Sequence, residues 1–196
     1  MFARTERLLL RPSWPEDAQE LHQAIADEFI VRNLACGSRP QSIDDAVQCA
    51  TVSRDERYPA FLVMLRTDEA PKLIGVCGLG EHNGQAELRY WIAPPYRGLG
   101  FATEAGKAVI DIAQAIDHKT LVASHLIDNP ASGNVLRKLG FHDTGKTAKH
   151  HDHGRGEATA CLMYERALDG TGLEPRARLS PRAFRLGGQV ERRQAA

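Results

Sequence analysis

The sequence predicts an α/β domain, a mixed and mostly antiparallel sheet flanked by helices. Three observations predict it. Strand-like runs at Ala60 to Arg66, Lys72 to Leu79 and Ala86 to Ala93 follow one another through short turns, the pattern of an antiparallel meander. Apolar stripes at helical spacing stand on both sides of that meander. The stretch Glu87 to Glu104 runs from a strand through a glycine turn straight into a helix. Sheet and helices in this alternation bury their apolar faces against each other as layers.

Arg7 to Arg11 reads as the first strand, with Leu8, Leu9 and Leu10 at its centre. Ser13-Trp14-Pro15-Glu16 resembles a capping box, with Ser13 as cap and Glu16 three residues on. Ala18, Leu21 and Ile25 then follow at helical spacing. Ser42 and Asp45 start a second helix in the same way, with Ile43, Ala46, Val47 and Ala50 on its apolar side. In the meander, Asn83-Gly84 is a hairpin signal. Alternation along the third strand puts Glu87, Arg89 and Trp91 on one face, and Leu88, Tyr90 and Ile92 on the other. The helix after the glycine turn carries Ala105, Val109, Ile112 and Ile116 as a core stripe. Thr120 to Leu126 is the next strand. Asn129-Pro130 opens a short helix, with proline suited to its first position and Gly140 at its end. Phe141 to Thr147 and Ala158 to Ala167 are the last two strands. The domain thus spans residues 1–168. From 169 to 196 an Arg-, Pro- and Gly-rich extension follows, read as a disordered or surface-packed tail that Phe184 and Leu186 would anchor.

Composition narrows the function. The 25 basic and 25 acidic residues cancel, which argues against bulk nucleic-acid binding, since that needs a basic surface. Cys36, Cys49, Cys77 and Cys161 form no Cys-x-x-Cys pair, which disfavours a zinc ribbon or a thioredoxin-like site. Cys77 and Cys161 sit in apolar strands and are expected as buried thiols. The N-terminus is charged and without a signal core, and no apolar run approaches the ~18 residues of a membrane span, so a cytoplasmic protein without a membrane partner is expected.

Gly98 and Gly100 let the backbone turn tightly and approach a ligand. The free N–H groups of the following helix point at that ligand, and the helix dipole favours an anion. Strand, Gly-x-Gly turn and helix N-terminus together make a pyrophosphate cradle. A dinucleotide fold is a poor match, because it wants three glycines after the chain's first strand, whereas this turn follows a meander. His150-His-Asp-His153 is read as a solvated loop, with an acceptor contact as the alternative, rather than a metal site, because adjacent loop histidines rarely converge on one ion. His125, on a buried-looking strand, reads as a core histidine.

The chain resembles the GNAT superfamily of acetyl-CoA-dependent N-acetyltransferases, and within it the RimJ/RimL-type ribosomal-protein acetyltransferases. Four pieces carry the resemblance, in the family's order: Thr5-Glu-Arg-Leu-Leu-Leu-Arg-Pro12, Glu87 to Ala93, Arg97-Gly-Leu-Gly-Phe-Ala102, and Asn129 to Phe141. They span about residues 4 to 168 and leave the tail unmatched. Arg89 departs from the pattern, standing where relatives often have a small residue.

The resemblance implies a GNAT acyl-CoA N-acyltransferase fold and acetyl-CoA as co-substrate, with no metal. It places Trp91, Ile92, Arg97, Gly98, Leu99, Gly100, Phe101, Ala102, Thr103, Asn129 and Ser132 at the acetyl-CoA site. The pyrophosphate would lie on the backbone of Arg97 to Ala102 and on the Thr103 hydroxyl, Asn129 on the pantetheine arm and Ser132 near the sulfur. It also implies direct attack of an amine on the thioester in a ternary complex. Neutralising a lysine-like amine of pKa ~10.4 at pH 7 costs about 4.6 kcal/mol, but a peptide α-amine of pKa ~7.8 only about 1.1 kcal/mol. Glu87 is the general-base candidate, directly or through a water, with Ser132 and alternatively Tyr90 as the acid toward the thiolate. Sharing a face, Arg89 would pair with Glu87 and weaken it as a base. The competing reading is a non-catalytic acyl-CoA-binding or partner-docking module. A monomer or homodimer fits either.

Overall fold

The structure is a computed structural model that describes residues 1–25, 27, 30, 42, 44, 45, 55–151 and 158–168. The strands are β1 (Ala3–Arg4), β2 (Leu8–Arg11), β3 (Ala60–Leu65), β4 (Lys72–His82), β5 (Gln85–Ile92), β6 (Thr120–Leu126), β7 (His142–His151) and β8 (Ala158–Ala167). The helices are α1 (Ala18–Ile25), α2 (Phe101–Ala115) and α3 (Pro130–Lys138). The strands form one sheet in the order β1-β2-β3-β4-β5-β6-β8-β7. Every neighbouring pair is antiparallel except β5 and β6, which are parallel.

Period-two alternation splits the core between two faces of the sheet. One face gathers Leu8, Leu10, Val63, Leu79, Leu88 and Leu121 under α2 and α3, which contribute Phe101, Val109 and Leu136, with Leu139 at the C-cap of α3. The other gathers Leu62, Met64 and Leu73 under Leu21 and Ile25 of α1, with Trp91 packed at its margin. The β4–β5 hairpin turns at Asn83 and Gly84, whose φ values of 51° and 78° match the type I′ turn that the dipeptide signals. Cys77 and Cys161 are buried thiols as expected, and burial pushes the Cys77 thiol up to about 12.

Several expectations are corrected. The cap before α1 lies one residue further on. Trp14 caps a short 3-10 turn, Pro15–Asp17, that leads into α1, and Asp17 Oδ2 accepts from the Trp14 N–H at 2.7 Å. Asp17 rather than Glu16 takes this place because Arg11 holds its carboxylate with two 2.7 Å bonds. The first strand begins at Leu8 and is preceded by β1, a strand too short for any alternation to register. β7 starts after Phe141 and runs on to His151, a polar length that pairing with β8 makes a strand, so His150 and His151 belong to it and not to the expected loop. Ser42 and Asp45 do exchange the reciprocal bonds of a capping box, at 3.1 and 3.0 Å. The helix expected to follow them lies outside the described residues, as do Cys36, Cys49, the 152–157 part of the histidine segment and the tail from 169.

Candidate active site

The parallel pair is the singular feature of the sheet. β5 and β6 pair only at Ala86 with Leu121 and Glu87 with Val122. Beyond that point β5 stays on β4 and β6 stays on β8, so the two strands part and a wedge opens between them. Along it, from Leu88 onward, the β5 edge facing β6 pairs with no strand among the described residues.

Glu87 sits at the vertex, on the α1 face, and is 4% exposed. Its Oε2 accepts from Arg89 Nε at 2.7 Å, the pairing that alternation anticipates. Its Oε1 accepts from Ser124 Oγ on β6 at 3.1 Å. The Arg89 side chain is 40% exposed and also donates to the Glu81 carbonyl at 3.2 Å. It lies flat over Gly80, where an added Cβ would come within 2.6 Å of the guanidinium. The carboxylate is therefore a buried group whose two oxygens are each held by one donor, with its arginine partner reaching solvent.

On the opposite face Tyr90 and Ser132 meet across the wedge. Tyr90 Oη lies 2.8 Å from Ser132 Oγ and 3.0 Å from the Ser132 carbonyl. Burial, only partly offset by the bond to Ser132, pushes the Tyr90 phenol well above its ordinary value, so it stays protonated. Such a phenol stabilises a thiolate by donating a hydrogen bond more readily than by giving its proton away. Asn129 caps α3, its Oδ1 accepting from the Ser132 N–H at 3.3 Å, and so fixes where that serine stands. His125 is a satisfied core histidine: its ring bonds the Leu126 carbonyl and Tyr164 Oη, and Gly133 of α3 rests against it.

At the mouth of the wedge a short 3-10 turn, Pro94–Tyr96, leads from β5 into the glycine turn. Gly98 and Gly100 have φ of 76° and 86°, a left-handed backbone that costs a side-chain-bearing residue stability. Gly100 caps α2, whose first-turn N–H groups at Phe101, Ala102 and Thr103 have no intrahelical acceptor. No side-chain oxygen caps that end, and the space beside Gly98 is open. The turn and helix end thus offer converging donors where an anion can approach closely, which is the fit a pyrophosphate needs. The Arg97 guanidinium is turned back onto the Ile92 carbonyl at 2.8 Å and toward Asp27 at 3.5 Å. The donors left facing the turn are accordingly those of the backbone. Trp91 points to the α1 face, away from Tyr90 and Ser132.

Sequence reasoning missed Ser124, although it shares the Val122 face of β6 by simple alternation. It also missed Gly80, which stands opposite Glu87 in register, and the contacts Arg7 and Glu104 make around the glycine turn.

The sheet thus parts at one parallel pair, with a glycine turn and a helix N-terminus at the mouth of the wedge. The sequence profile of the acetyltransferase (GNAT) domain matches residues 7–142, and the chain belongs to that family. An uncharacterized N-acetyltransferase of Schizosaccharomyces pombe is 37% identical over 162 residues, covering 74% of this chain and 86% of that one. Among solved structures, RimL, the ribosomal L7/L12 alpha-N-protein acetyltransferase in complex with coenzyme A, superposes with a TM-score of 0.72 at 20% identity, covering 86% and 99% of the two chains. Spermidine N-acetyltransferase from Vibrio cholerae, in complex with CoA and spermine, gives 0.70 at 19% identity, covering 84% and 97%. The protein is an N-acetyltransferase, with acetyl-CoA as acyl donor. Among the described residues no helix is long and apolar enough to cross a membrane.

Proposed function

We propose that the protein transfers the acetyl group of acetyl-CoA to a primary amine by direct attack in a ternary complex, as a RimJ/RimL-type enzyme. The observation that carries this reading is the wedge itself, with a carboxylate at its vertex and an anion-binding turn at its mouth. Acetyl-CoA supplies the activated acetyl group. The glycine turn and the first turn of α2 hold the pyrophosphate through backbone N–H groups, with the Thr103 hydroxyl beside them. The edge of β5 around Trp91 and Ile92 and the Asn129 end of α3 line the path of the pantetheine arm.

Glu87 takes the proton of the attacking ammonium, directly or through a water. Arg89 reaches solvent and holds only one of the carboxylate oxygens, which leaves lone pairs on both oxygens for that proton. Ser132 and Tyr90 already share a hydrogen bond, and a rotation of the serine hydroxyl redirects its proton toward a sulfur in the wedge. The two similar structures act, by name, on a protein α-amine and on a polyamine. Both carry primary amines, and the acceptor of this protein is proposed from the same class.

The test has two parts. Acetyl-CoA is expected to raise the melting temperature while NADH does not; the reverse would overturn the cofactor assignment. A turnover screen over N-terminal peptides, polyamines, amino acids and aminoglycosides, read by release of the CoA thiol, then identifies the acceptor. Strong acetyl-CoA binding with no turnover on any amine would favour a non-catalytic module.

A further inference from the structure

Arg7 stands 92 positions before Leu99 of the glycine turn, in the turn between β1 and β2. Its side chain nevertheless converges on that loop. Nη1 donates to the Leu99 carbonyl, between the two left-handed glycines, at 3.1 Å. Nε and Nη2 each lie 2.7 Å from Glu104 Oε2 in the first turn of α2. The guanidinium carbon sits 4.3 Å from the centre of the Phe101 ring, the first residue of that helix. Glu104 is tied to the same corner twice more, by Thr5 Oγ1 at 2.6 Å and the Arg7 N–H at 2.9 Å. Burial raises its pKa, but the bonds from Thr5 and Arg7 outweigh that and hold it below the ordinary range, so it stays charged.

We propose that Arg7 is a positioning residue for the acetyl-CoA pyrophosphate, clamping the Leu99 carbonyl to Glu104 so that the glycine turn holds its anion-binding shape before the ligand arrives. The inference rests on the proposed placement of the pyrophosphate on this turn. The physical need is plain. Residues 97–100 contain two glycines, and glycine loses more backbone freedom on ordering than any other residue. A loop that orders only on binding subtracts that cost from affinity, whereas a preorganised loop does not. Leu99 is 56% exposed and packs little, so its side chain cannot do this holding. Nη1 donates to the Leu99 carbonyl while Nε and Nη2 face Glu104, so the effect proposed for Arg7 is transmitted through the loop backbone.

Arg7→Met tests this. It keeps an aliphatic stem against Phe101 and leaves the Thr5 hydroxyl and residue-7 backbone bonds to Glu104 in place, so the fold is expected to survive. Binding is measured for acetyl-CoA by calorimetry and for acetyl-pantetheine, which lacks the pyrophosphate, by ligand-observed NMR. The expected result is a Kd for acetyl-CoA raised ~10-fold with acetyl-pantetheine unchanged. Arg7→Lys, which returns a single cationic donor to Glu104, should fall between wild type and Arg7→Met; it also serves if the methionine variant does not fold. Equal weakening of both ligands, or of neither, would overturn the clamp. Wild-type protein binding the two ligands equally well would instead overturn the placement of the pyrophosphate, a separate and recognisable failure.

Discussion

Replacing Glu87 by glutamine isolates the charge of the proposed base with little change of shape. The side chain is only 5% exposed, so a poor replacement would leave buried polar atoms without partners. Glutamine avoids this: its carbonyl oxygen accepts from Arg89 Nε, and its amide donates to Ser124 Oγ, which has lone pairs to accept it. What is lost is an ion pair whose arginine is 40% exposed, worth about 1 kcal/mol or less after solvent screening. The melting temperature should therefore move by only a few degrees, about 2–4 °C per kcal/mol for a chain of this size. Catalysis should suffer far more, because a positioned general base contributes ~100- to 10,000-fold. The size of the loss depends on the acceptor. A lysine-like amine must give up about 4.6 kcal/mol to become neutral at pH 7, and an α-amine about 1.1 kcal/mol. The variant is thus expected to lose ~100-fold or more in kcat on a lysine-like amine and much less on a peptide α-amine. Raising the pH toward the α-amine's own pKa should narrow its defect further. The assay is CoA thiol release at saturating acetyl-CoA. An unchanged kcat on both amine classes would refute the assignment of Glu87 as base.

Tyr90→Phe and Ser132→Ala should each lower kcat ~10-fold, and the double variant little more, because bonded partners are not additive; fully additive losses in a double-mutant cycle would contradict a shared role. Gly133→Ala puts a Cβ 2.6 Å from His125 Nε2, on a ring already bonded on both sides, so a loss of ~1–3 kcal/mol in denaturant unfolding is expected. Because α3 must shift, the Kd for acetyl-CoA should rise with it. Asp17→Asn breaks a pair whose side chains are only 12% and 10% exposed, and should cost ~3 kcal/mol at neutral pH. The hydrogen bond from Arg11 holds the Asp17 carboxyl below its ordinary value, so this stabilisation is complete above the unfolded pKa of ~3.9 and fades as pH falls through the lower folded value. The difference in melting temperature between Asp17→Asn and wild type should therefore shrink in acid; a difference that grows would reverse the sign of the argument.

The elements that the sequence announces are those governed by local chemistry. Asn83-Gly84 needs left-handed backbone and forms the hairpin turn; Asn129-Pro130 needs a cap and a fixed first φ and starts α3. Alternation along β5 places Glu87 beside Arg89, because two residues on is always the same face. Where local signals compete, the chain decides by a longer reach. Ser13 and Glu16 fit a capping box as well as Trp14 and Asp17 do in spacing, but Arg11 draws Asp17 into place. β7 carries no apolar pattern along its outer half and becomes a strand because β8 lies beside it.

The candidate site divides along the same line. The Gly98–Gly100 turn and the Asn129 cap are visible in the sequence because each serves a local backbone need, whereas Glu87 and Ser132 stand out only through the resemblance to the family. Tertiary structure alone decides that β5 and β6 pair for two residues and then part, since strand pairing across 35 positions leaves no periodic trace in either strand. It alone brings Ser124 to Glu87, lays Arg89 over Gly80, joins Tyr90 to Ser132, and sends Arg7 to the Leu99 carbonyl. Local preference acts over a few residues, whereas these contacts exist only once the sheet order and the packing of helices on it have been settled.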